Sequence, residues 1–166
     1  MFYEELFKAL EKAQVRYLVV GGVAMVLHGF IRMTMDLDLF IALDPSNIER
    51  FLKVVQDLGY RPDIPVKLED FSSTKKRQEW RNEKGMLVFP LSHPVQLNHR
   101  IDVFIEEQLP FIEAYERRFP VKVQDCTVQV ASVNDLVAMK RKAGRAQDLE
   151  DIEALKRLGK LNESGK

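Results

Sequence analysis

The chain has 166 residues, enough for one domain that buries a real hydrophobic core without disulfide staples. Hydrophobic residues make up 46% and charged residues 30%, the balance of an ordinary soluble protein, and 25 basic against 25 acidic side chains leave a formal charge of zero, which withholds global support for nucleic-acid binding. A single cysteine, Cys126, excludes an internal disulfide framework; no apolar run reaches the roughly 20 residues that span a bilayer; and the opening MFYEELFKALEKA is amphipathic, not signal-like, so a cytoplasmic protein with no membrane contact is expected.

Phe2, Leu6, Phe7 and Leu10 recur at helical spacing and predict an amphipathic first helix packed on a sheet. Val15 to Val20 reads as the first strand, and it runs into the pair Gly21-Gly22. Glycines there let the backbone turn sharply and let a phosphate come close, and the N–H groups opening the next helix would point at that anion. Val23 to His28 is that short helix, ended by Gly29. Phe30 to Met35 then presents Arg32 and Thr34 just ahead of a strand carrying Asp36 and Asp38. Alternation puts both carboxylates on one face and Leu37, Leu39 and Ile41 on the other. Two adjacent carboxylates repel, which raises the pKa of one unless a cation neutralises them; a divalent metal, Mg2+ above all, is the economical answer. Arg32 suits either role, counter-ion of the aspartates or phosphate contact. His28 reads as a hydrogen-bonded structural group.

Asp44-Pro45 caps and opens the next helix, striped by Ile48, Phe51, Leu52, Val55 and Leu58 and stopped by Gly59. From Arg61 to Gly85 the periodicity weakens. The favoured reading is a solvated, partly helical excursion with Trp80 folded back on the core; the functional one is a basic flap of Lys75, Lys76, Arg77 and Arg81 with Trp80 stacking on a base. Gly85 to Leu91 and His99 to Ile105 read as strands. Asp102 stands alone on the second of these, costly unless it joins Asp36 and Asp38 or pairs with Arg100. Leu109 to Phe119 predicts a helix, Val121 to Val123 and Thr127 to Val130 an edge hairpin, and Ser132 to Asp135 a capping box that launches the closing helices, divided at Gly144.

The glycine pair, the short helix and the Arg32-x-Thr34-x-Asp36-x-Asp38 strand resemble the nucleotidyltransferase superfamily associated with DNA polymerase beta, and GGVAMVLHGFIRMTMDLDLFI is similar to its small prokaryotic members, including the AbiEii toxin type. The resemblance continues in SVNDLVAMKRKAGRAQDLEDI and spans about Val15 to Leu158. It implies an α/β (α+β) fold, a mixed twisted sheet flanked by helices with the site on one exposed edge, in a single domain over residues 1–160 with a disordered tail at 161–166. It implies two Mg2+ ions, with Mn2+ as substitute, held by Asp36, Asp38 and Asp102, and a nucleoside triphosphate held by Gly21, Gly22, Arg32, Thr34, Lys140 and Arg145, with Asp148 and Asp151 as anchors of those cations. A nucleoside monophosphate would pass to a hydroxyl of RNA, protein or a small molecule. The other readings are an interaction component with a protein partner, as in a toxin–antitoxin pair, and a metal phosphohydrolase. One departure stands out: many superfamily members carry Ser where this chain has Gly22.

Overall fold

A computed structural model of the chain describes residues 3–164, with side chains to residue 159. Phe2 of the expected first helix stripe therefore lies outside the described residues. Strands β1 (Tyr17–Val20), β2 (Asp36–Ile41), β3 (Arg61–Pro62), β4 (Val88–Ser92), β5 (Arg100–Phe104), β6 (Phe119–Val123) and β7 (Cys126–Val130) form one mixed sheet in the order β3-β4-β5-β2-β1-β7-β6. Helices α1 (Glu4–Lys12), α2 (Gly21–Leu27), α3 (Pro45–Asp57), α4 (Thr74–Lys84), α5 (Phe111–Glu116), α6 (Val133–Ala143) and α7 (Ala146–Ser164) complete it, with a 3-10 turn over Leu68–Ser72. α7 thus runs through part of the segment read as a tail. None of the described helices is long and apolar enough to cross a membrane.

Local chemistry explains the element ends. Asp44 caps α3 by accepting from the Asn47 N–H at 3.0 Å, with Pro45 in the first turn. Ser132 caps α6 by accepting from the Asp135 N–H, and Gly144, at φ +66°, separates α6 from α7. On β2, Leu37, Leu39 and Ile41 are fully buried on one face. They share it with Tyr17 of β1, on which Phe7 of α1 stacks. On the opposite face Phe40 meets Phe111 of α5 edge-on. These two layers bury the sheet on both sides and leave the carboxylate end of β2 uncovered.

The Arg61–Gly85 excursion packs as a helix on the core. Trp80 is buried and stacks on Phe89 at 5.3 Å, so it is not free to stack on a base. Arg77 is also buried, donating to the carbonyls of Phe71 and Ile105. Lys76 pairs with Asp70, and Arg81 with Glu106. The buried Trp80 and Arg77 take the stacking ring and one cation away from the basic-flap reading, and Lys75 stays on the surface beside Glu79. The carboxylates also differ from the edge position expected for them. β2 and β5 are interior strands, and the edges are β3 and β6.

Candidate functional site

β2 and β5 run parallel, with Asp38 opposite Asp102 and Asp36 opposite Arg100. Paired positions share a face of the sheet, so strands more than sixty positions apart in the chain bring the three aspartates and one arginine to one patch. The Tyr3 hydroxyl clasps the beginnings of both strands: it lies 2.6 Å from the Met35 carbonyl and 2.8 Å from that of Arg100, and accepts from the Arg100 N–H at 3.2 Å.

β1 ends at Val20, opposite Asp38, and the chain turns at Gly21 with φ +65° into α2. A β-carbon on Gly21 would lie 2.0 Å from Asp38 Oδ2, and one on Gly22 would lie 2.5 Å from Thr34 Oγ1. The second distance leaves no space for a serine at position 22. The Thr34 hydroxyl already fills the space where a side chain at position 22 would begin.

Burial pushes the Asp38 carboxyl up to about 7, helped by the negative charges of Asp102 and Asp36 and opposed by Arg145 and Lys140. Burial raises Asp102 as well, against Arg100, whose Nε donates to Asp102 Oδ1 at 3.3 Å. Among the described residues no hydrogen bond or ion pair reaches the carboxylate of Asp36 or of Asp38, whose backbones are held in the sheet. Nor do three or more His, Cys, Asp or Glu side chains gather closely enough there to cage a metal ion. A magnesium ion does not require a cage, since it usually takes one or two carboxylates and fills its remaining positions with water and substrate phosphate. An unpartnered, partly desolvated carboxylate beside a second one fits that ion.

Arg32 and Lys140 converge on Asp151, with Lys140 Nζ 2.7 Å from Oδ2, while Arg145 Nε donates to Asp148 at 2.7 Å. Burial works against ionisation of both aspartates, yet these cations hold Asp148 and Asp151 below the usual carboxylate range. Asp151 therefore ties the loop before β2 to α6 and α7. His28 is structural, with Nε2 2.9 Å from the Ala131 carbonyl and its ring stacked on Phe119.

A cleft of about 540 Å³ opens over this patch, lined by Gly21, Asp38, Asp102, Lys140, Arg145 and Asp148 among others. Of the residues expected at the site, Gly22, Arg32, Thr34 and Asp36 stand beside the cleft and not on its lining. Sequence reasoning missed the Tyr3 clasp, which carries no local signal, and the apolar wall of the cleft. Alternation already puts Phe104 on the face of Asp102, but nothing local marks that face as the wall of a cleft.

The fold matches a solved structure described as lincosamide antibiotic adenylyltransferase LnuA, lincomycin-bound, with a TM-score of 0.59 and 18% identity over 93% of this chain and 96% of that one. At that identity the likeness shows the fold alone. No curated protein matches the chain. The profile of the family described as nucleotidyltransferase of unknown function (DUF6036) matches residues 2–162, and the chain belongs to that family of nucleotidyltransferases.

Proposed function

We propose that the protein is a divalent-metal-dependent enzyme that transfers a nucleoside monophosphate from a nucleoside triphosphate to the hydroxyl of an acceptor. The observation that carries this reading is the pairing of Asp38 with Asp102 on the floor of a cleft whose wall includes Lys140 and Arg145. Asp38, with Asp36 or Asp102 beside it, would hold Mg2+, or Mn2+ in its place, and the ion would supply positive charge to the phosphate oxygens. Gly21 and Gly22 give Asp38 and Thr34 the space they occupy, and the backbone N–H groups of that turn would face the triphosphate. Thr34 offers the hydroxyl that serine offers in other superfamily members, and Arg32, Lys140 and Arg145 supply charge to the phosphates. Asp102, on the floor of the cleft, would take the acceptor's hydroxyl proton. The acceptor oxygen bonds to the α-phosphorus, the bond between the α- and β-phosphates breaks, and pyrophosphate leaves.

Labelled nucleoside triphosphates and Mg2+, equilibrated with wild type and with the Asp36→Asn, Asp38→Asn double variant, test this reading. Magnesium-dependent binding lost in the double variant supports it; no binding to wild type overturns it. ATP is the first nucleotide to use and lincomycin the first acceptor, chosen from the description of the structural relative. The lone, buried Cys126 agrees with the cytoplasm as the site of action. Membership in the AbiEii-like subgroup, and the alternative of a toxin–antitoxin component with lost catalysis, rest on sequence resemblance; partner capture without nucleotide binding would favour the alternative.

A further inference from the structure

The cleft changes character beyond its carboxylates. Phe104 follows Asp102 by two residues on β5 and so shares its face, and Val88 of β4 pairs with Phe104. Leu136 and Met139 of α6 form the facing wall, and Leu87 stands at the mouth, 51% exposed. Polar groups lie at the two ends of this slot: Asp38, Asp102, Lys140 and Arg145 at one, the Arg81–Glu106 ion pair, 2.9 Å across, at the other. An apolar surface left open to water between two polar ends suits a ligand of the same polarity pattern.

We infer that this slot is the acceptor subsite, and that the acceptor is a compact small molecule with an apolar body and a hydroxyl directed at Asp102. The inference rests on the nucleotidyl-transfer reading above. The slot runs on from Asp102 along β5 to Phe104 and Glu106, whereas Gly21 adjoins Asp38 on the other side of Asp102's pairing, so the body beyond Asp102 belongs to the nucleophile. An RNA acceptor requires a track of cations and stacking faces. Here Arg81 is neutralised by Glu106, the lining's four cations are matched by four carboxylates, Phe104 is the single aromatic on it, and Trp80 is buried.

The Met139 methyl group reports on occupancy of the slot. The full chain, labelled with 13C at its methionine methyls and assigned with Met139→Leu, is titrated with 2-(2-naphthyl)ethanol as the acceptor probe and separately with Mg2+ and ATP. The alcohol should shift the Met139 signal and leave exposed Met33 unmoved, and it should bind together with the nucleotide. Leu87→Lys, which alters a half-exposed side chain, should weaken the alcohol by about tenfold or more and leave nucleotide affinity within about twofold. No shift at Met139, mutual displacement of alcohol and nucleotide, or equal weakening of both by Leu87→Lys would overturn the assignment. The last two would give the slot to the nucleobase. Failure of the enzyme reading is seen separately, as absence of magnesium-dependent nucleotide binding in the wild type.

Discussion

Asp38 Oδ2 occupies the space in which a side chain at Gly21 would have to begin. A β-carbon there would lie 2.0 Å from that oxygen, and the backbone at Gly21 has φ +65°. Gly21→Ala therefore combines a strained backbone with displacement of a carboxylate, and the expected loss of stability is about 1–3 kcal/mol. Urea unfolding should show that loss, and equilibrium dialysis should show weakened binding of Mg2+ with nucleotide. Unchanged affinity would mean that the Asp38 position is unimportant to the ligand.

Position 22 is linked to Thr34 in the same way. Gly22→Ser should be destabilising, because its β-carbon would meet Thr34 Oγ1 at 2.5 Å and Cβ at 2.9 Å. Thr34→Gly in the same chain should relieve the clash. The four thermal unfolding midpoints make a double-mutant cycle, with an expected coupling of about 1 kcal/mol or more. Additive effects would refute the exchange of one hydroxyl for the other.

The Asp38 carboxyl, raised to about 7 by burial and by its acidic neighbours, binds its proton more tightly in the folded chain than in the unfolded one. As pH rises from about 4 to about 7, the unfolded state gives up this proton first, so ionisation of Asp38 costs folded-state stability across that window. Asp44, Asp70, Asp148 and Asp151 act in the opposite sense. Their lowered pKa values contribute stability at neutral pH that is lost as pH falls through the folded values. The observable is therefore the difference between wild type and Asp38→Asn in metal-free buffer. The variant should gain on wild type as pH is raised through the window, and parallel profiles would contradict the raised pKa.

Asp151 joins Arg32 to Lys140, whose side chain is 9% exposed. Asp151→Asn leaves Lys140 with Asp148 alone, at 3.7 Å. Removing one member of a buried ion pair costs on the order of 3 kcal/mol. Denaturant midpoints should register this, and adding Lys140→Met should recover most of it. No recovery would assign the loss to Arg32 and the loop before β2.

Short-range chemistry made much of the molecule legible. The alternation DLDLF marked β2 and the face of its aspartates, Asp44-Pro45 marked the start of α3, and Ser132 and Gly144 marked the bounds of α6, because caps, turns and periodicity act within a few residues. The cations around the site were legible as residues and not as partners. That Lys140 and Arg32 share Asp151 depends on one loop and two helices meeting.

By itself the sequence determined most of the strands and helices, though not β3, the extent of α4 or the end of α5 before Phe119, and it determined which residues of β2 face the core and which carboxylates and cations were available for chemistry. Only the tertiary structure decided that β5 lies parallel beside β2 with Asp102 opposite Asp38, that Tyr3 clasps both strands, that Thr34 fills the space beside Gly22, and that an apolar slot extends from Asp102. The physical reason is range. Periodicity and capping are properties of neighbouring residues, whereas register between distant strands is set by the burial of both sheet faces at once.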